Sequence, residues 1–257
     1  MRRPSRRRLI IGLAVLVPLI IVGGLAIAVT TGLLLNDKAT PVSIQDVLAR
    51  FHEGERRTGK LDGVYLYATR GQESVDALGG ATHRYPKSTT ITLVTVPCGI
   101  RLLWEPFEER SVRWTLCATA DGIELADWEV AHEFFGQGDR TGYTCTESVL
   151  VPAEEKSEAS PFRCRSDRGR EDGETDLLGV ERVAVGSARR AGVHVRTVGQ
   201  VTGGDSGTET TEWWLDERSG LPLRIRLANR TSRSVLVGRV HYSEDADLRL
   251  RTTKPLR

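Results

Sequence analysis

Apolar residues along this chain fall into two regimes. Residues 9–35 (LIIGLAVLVPLIIVGGLAIAVTTGLLL) contain no charge at all. A helix rises about 1.5 Å per residue and the hydrocarbon core is about 30 Å thick, so about 20 apolar residues suffice to cross it. This stretch predicts a single transmembrane helix. Beyond it the apolar positions become periodic. Ile44, Val47, Leu48 and Phe51 fall at i, i+3, i+4 and i+7, one face of a helix. Ser43 stands at its N-cap, Asp46 at the capping-box position, and Gly54 ends it. The pattern predicts one amphipathic helix over 43–53. Its polar face carries Asp46 as well as Arg50, so it is expected to pack on a sheet and not to lie on lipid.

After that helix the period drops to two. Val64, Leu66 and Ala68 alternate with Tyr65, Tyr67 and Thr69, and Gly71 is expected to turn the chain so that 72–78 returns. Residues 89–96 (TTITLVTV) are β-branched except at Leu93. Strands are also expected at 100–105, 112–118, 123–135, 143–151, 183–185, 193–201, 208–215, 221–227 and 235–242, with a last short one at Leu248 and Leu250. Residues 152–161 (PAEEKSEASP) predict a loop. The charged run 167–176 predicts a solvated segment and a boundary between two halves of the sheet. Short turns joining strands imply an antiparallel meander, curved and open or part-closed.

Charge and cysteine change this picture. Arg2, Arg3, Arg6, Arg7 and Arg8 all precede the apolar stretch. The positive-inside rule then keeps 1–8 in the cytoplasm and exports the rest behind an uncleaved signal anchor, since a cleaved leader has an apolar core of only about 7–15 residues. Residues 36–42 become a linker and 43–257 an extracytoplasmic β-rich domain. The chain carries a net +2, and setting aside the five tail arginines leaves −3 on the exported part. That excludes a basic nucleic-acid footprint. Gly24, Ala28 and Gly32 recur every four residues, the spacing by which membrane helices pack, and offer a route to a homodimer. Cys98, Cys117, Cys145 and Cys164 all lie on the exported side, where disulfides persist. Three pairings are possible. A hairpin centred near 107–108 puts Cys98 opposite Cys117, which favours Cys98–Cys117 with Cys145–Cys164.

A resemblance enters at the C-terminal third. Trp214, Asp216, Ser219, Gly220 and Pro222 match a W-x-D-x-x-[ST]-G-L-P hairpin, and an N-terminal amphipathic helix precedes GVYLYATRG and a long meander. This resembles bacterial lipoprotein-carrier-like domains of the LolA and LppX type and the RseB/MucB sensor type. The resemblance implies a curved antiparallel half-barrel cupped over helices, whose apolar cup holds acyl chains or lipopeptide. A membrane anchor in place of a soluble or lipidated form departs from that pattern, as do the cysteine pairs. A tethered protein can bind such a ligand but cannot shuttle it.

Candidate chemistry is thin. Gly204-Asp205-Ser206-Gly207 copies the string around a serine-protease nucleophile, but its setting between Val201 and Thr208 predicts a hairpin turn. His52, His83, His132, His194 and His241 share no metal-ligand spacing. Glu105, Glu108 and Glu109 cluster at a predicted solvated turn. No phosphate-cradling or dinucleotide motif occurs, so neither cofactor, metal nor catalytic residue is expected. The aromatics are the stronger signal. Trp104, Trp114, Trp213 and Trp214 lie in predicted strands, and adjacent Trp213 and Trp214 must face opposite sides. With Tyr65 and Tyr67 they are the candidate lining of an apolar groove. The expectation is a non-enzymatic, membrane-tethered domain that binds a lipid-like ligand. The alternative is an envelope sensor or assembly protein that binds a protein partner.

Overall fold

The computed structural model describes residues 37–54, 59–154, 158–235 and 238–256. The apolar stretch 9–35, its arginine tail and the Gly24, Ala28 and Gly32 spacing lie outside the described residues. Among those described, no helix is long and apolar enough to cross a membrane.

One helix, α1 (Ile44–Glu53), forms where the period of 3.6 predicts it, and the Asp46 amide donates to Ser43 Oγ at 3.1 Å. Its Val47 is buried, and Arg50 pairs with Glu105 at 3.0 Å. The segment before it is pinned by backbone bonds: Val42 donates to the Pro106 carbonyl and Glu108 to that of Thr40. The Thr40 amide donates to Glu109 Oε2 at 2.8 Å. The glutamate cluster near 105–109 thus anchors the N-terminal segment.

Apart from a 3-10 turn at Ala77–Gly79, the other elements among the described residues form one antiparallel sheet of 14 strands. In chain order these are β1 (Gly63–Val75), β2 (Ala81–Arg84), β3 (Ser88–Val96), β4 (Gly99–Phe107), β5 (Arg110–Thr119), β6 (Gly122–Phe134) and β7 (Gln137–Thr146). Then come β8 (Val149–Pro152), β9 (Ser160–Arg165), β10 (Gly169–Val185), β11 (Ala188–Gly203), β12 (Asp205–Asp216), β13 (Pro222–Val235) and β14 (Gly238–Leu250). Neighbours in sequence are mostly neighbours in space. The pairings also return to their start, because Tyr67 to Val75 of β1 pair with β14. The sheet is nonetheless not a closed barrel. β9 meets β7 at only three residue pairs, β8 pairs β6 alone, and residues 176–185 of β10 pair only with β11.

Three expectations are corrected. Gly71 does not turn the chain: β1 runs straight through it at φ +120°. A Cβ there would stand 1.9 Å from the Asp245 carbonyl oxygen, so glycine serves the close approach of β14. Residues 167–176 are not a solvated boundary, since β10 crosses most of them without a break. Glu171 and Thr175 point inward there, and the other charges point out. Parts of 152–161 belong to β8 and β9.

Both favoured disulfides form, Cys98–Cys117 and Cys145–Cys164. The residue directly opposite Cys117 is Gly99, not Cys98. The hairpin turns at Glu108 and Glu109, not at 107–108, and a bulge between Trp104 and Phe107 takes back only one residue of that offset, so Cys98 lies beside Ala118 and reaches Cys117 from the adjoining turn.

Inward positions alternate as period two requires. Leu223, Ile225 and Leu227 of β13 and Ala246, Leu248 and Leu250 of β14 are all buried. They join Ile91, Leu93, Leu102, Val195 and Leu215 in one core. That core fills only part of the wrapped sheet.

Candidate functional site

The unfilled part is a cavity of about 820 Å³, which reaches the surface where the hairpins β6–β7, β11–β12 and β13–β14 end. Its size lies within the range of small-molecule sites, about 300–1,000 Å³. The floor is aromatic. Trp114 of β5, Trp128 of β6 and Tyr143 of β7 stand directly across from one another in successive strands. Trp128 and Tyr143 stack with ring centres 4.4 Å apart. Trp114 meets Trp213 of β12 edge to face at 5.2 Å, and since these strands are not neighbours, the pair spans the interior. Val112, Leu125, Leu150, Phe162 and Leu227 complete the apolar lining.

The six candidate aromatics divide. Trp114 and Trp213 line the cavity. Trp214 lies on the opposite face, as alternation requires. It stacks on His194 at 4.0 Å, carries Arg224 over its ring at 4.5 Å, and donates to Glu181 at 3.0 Å. Tyr65, Tyr67 and Trp104 are buried outside the cavity lining. Tyr67 donates to the Pro222 carbonyl at 2.7 Å, Tyr65 to that of Leu61, and Trp104 to Thr89 Oγ1. Burial raises the Tyr67 hydroxyl pKa, so it stays a neutral donor.

One wall is ionic. Arg110, 2% exposed, donates to both oxygens of Glu244 at 2.9 and 3.0 Å, and its Nε lies 3.4 Å from Glu73. Tyr85, Tyr242 and Asn229 supply the other donors to these two carboxylates. Glu73 also meets His83 at 3.1 Å, and His83 meets Asp37 at 3.1 Å. Burial works to lower the His83 pKa, but the two carboxylates outweigh it and the pKa is raised. His132 faces the cavity and stacks on Tyr242. Burial and then the Arg110 charge lower its pKa, so it is neutral.

A second polar group sits higher. Glu171 of β10 is 4% exposed and Glu209 of β12 is half-buried; both line the cavity. Neither has a hydrogen-bond or ion-pair partner among the described residues. Burial and the neighbouring Glu209 charge push Glu171 well above the carboxylate range. Burial, then the Glu244 charge, push Glu209 up to about 7. Gly199 makes their room: it pairs directly with Glu209, and a Cβ on it would stand 2.0 Å from Glu171 Oε1.

The mouth is laced by charge. Asp139 of β7 binds Arg168 and, at 2.7 Å, Arg233 of β13; Arg233 also binds Asp205 of β12 at 2.6 Å. The Arg233–Asp139 pair joins strands that are not neighbours, so it crosses the opening. Around it stand apolar Leu78, 70% exposed, and Val235, 40% exposed. Of the string at 204–207 only Gly204 lies between β11 and β12; Asp205, Ser206 and Gly207 begin β12, and exposed Ser206 meets Ser232 Oγ at 3.4 Å.

Sequence reasoning missed Arg110, Glu171, Glu209 and Glu244. For two of them a signal existed. Stepping back by twos from Trp213 reaches Thr211 and Glu209, and from Leu248 reaches Ala246 and Glu244.

No protein-family model, curated protein or solved structure matches this chain. Its class is therefore defined by its own geometry: a mainly antiparallel β protein whose one sheet wraps a cavity that opens at the hairpin ends.

Proposed function

We propose that this chain is a membrane-anchored extracytoplasmic domain that binds a lipid-like ligand at the outer face of the cytoplasmic membrane and performs no reaction on it. The observation that carries this reading is the cavity of about 820 Å³ with its floor of Trp114, Trp128 and Trp213. A cavity of this size lined largely by apolar and aromatic side chains is the usual mark of a site for an apolar partner. The two disulfides agree with an oxidising compartment. The half-barrel shape of lipoprotein-carrier-like domains is part of the same proposal.

Native mass spectrometry of the full chain after mild extraction tests it. The expected spectrum shows a protein–lipid adduct that is lost in Trp114→Ala/Trp213→Ala. A spectrum with bare protein only, unchanged after incubation with phospholipid vesicles, overturns the reading. The exposed rim residues Leu78 and Val235 favour a second one, an envelope sensor or assembly protein whose partner covers the mouth.

A further inference from the structure

The cavity holds two carboxyl groups, Glu171 and Glu209, that no basic residue among those described pairs with. Its three lining arginines are all engaged: Arg110 by Glu244 and Glu73, Arg168 by Asp139, and Arg233 by Asp139 and Asp205. His132 is neutral. Among the described residues no lining cation is left to receive an anionic ligand. Glu171 and Glu209 are left without a partner among the described residues, and both line the cavity.

The geometry around them is that of a seat. Glu171 lies across Gly199, Glu209 stands directly opposite Gly199 on the next strand, and any larger residue at 199 would displace the Glu171 carboxyl. Glu209 and Trp213 lie on the same face of β12, four residues apart, which at about 3.3 Å per residue sets the carboxyl pair roughly 13 Å above the aromatic floor.

We propose that the ligand is a cationic amphiphile, with an ammonium head between Glu171 and Glu209 and an apolar body on the Trp114, Trp128 and Trp213 floor. This deepens the lipid-binding reading and rests on it. An ammonium supplies three donors and a charge to two acceptors that lack both, in a recess where charge pairing is stronger than in open water. Binding then draws both carboxyls into their ionised form and releases protons.

The test titrates the full chain in nanodiscs with octylammonium chloride, sodium octanoate and octanol by calorimetry at about pH 8, with empty nanodiscs subtracted. The expected result is that octylammonium binds about tenfold tighter or more than the other two, a difference of about 1.4 kcal/mol. Glu171→Gln/Glu209→Gln loses that preference and keeps octanol binding. Gly199→Ala, which keeps both carboxyls but crowds Glu171, weakens the amine alone and stands in if the double variant fails to fold. Octanol or octanoate binding as tightly as the amine overturns the cationic head and leaves lipid binding standing, as does a double variant that keeps the preference. Failure of all three probes to bind wild type overturns both. The mass of a co-purified adduct identifies the source, an amine-bearing lipid or a small alkylamine.

Discussion

At Arg110 a guanidinium almost sealed from solvent holds Glu244 through both oxygens and reaches Glu73. Removing one partner of such a group strands buried charge, at a cost of about 3–5 kcal/mol. Arg110→Met is therefore expected to lower the unfolding free energy from urea denaturation by an amount in that range, and a free energy equal to wild type would show that the interior rearranges without it. Residues of this kind were hard to find in the sequence. Arginine before Ser111 and glutamate within SEDAD look like hairpin-end polarity, and they meet only across the interior, from strands that do not pair. Trp213 and Trp214 were legible because period two alone puts neighbours on opposite faces. Which of them faced the cavity was not, since both faces of β12 are covered there.

Among the elements, the β12–β13 hairpin shows why a W-x-D-x-x-S-G-L-P string holds its shape. Asp216 Oδ1 accepts from the Arg218 and Ser219 amides and from Ser219 Oγ, and its Oδ2 accepts from Arg190 Nε at 2.7 Å. Gly220 supplies φ +71°. Bonds to a buried carboxylate contribute about 1.5–3 kcal/mol, so Asp216→Ala should cost roughly 2 kcal/mol. Hydrogen exchange at the Leu221 and Ser219 amides should quicken, and unchanged exchange there would refute the assigned role. The helix, most strands and this turn were legible because each is fixed by local period or turn chemistry. The turn at Gly71 and the charged run of β10 were misjudged because both depend on a distant strand. Gly71 answers to Asp245, and Glu171 finds its room over Gly199.

On the scale of the whole molecule, the buried ionisable groups set a pH profile. Glu209 and His83 have raised pKa values in the fold. Such groups contribute stability that is complete below their unfolded values and is lost as pH rises through the folded ones. Asp139, Asp216 and Asp247 run the other way. Burial there is outweighed by arginine and hydroxyl partners, their pKa values are lowered, and their contribution is lost as pH falls through the lowered values. The unfolding temperature should therefore peak at about pH 5 and decline towards about pH 8, with a shallower decline in Glu209→Gln. A flat or rising profile over that range would contradict the assignment. The cavity was the least legible feature, because it depends on β1 pairing with β14, the most distant partners in the sheet. That pairing also bears on how the chain is made. A chain emerging from its N-terminus can zip β3 to β13 neighbour by neighbour, while the edge of β1 along Tyr67 to Val75 that faces β14 has no partner until that strand arrives. The nascent protein keeps an unpaired edge through nearly all of its synthesis, the condition under which sheets stick to one another. Chains ending at residue 237, without β14, should accumulate as aggregates and be cleaved by protease within β1, whereas the full chain resists.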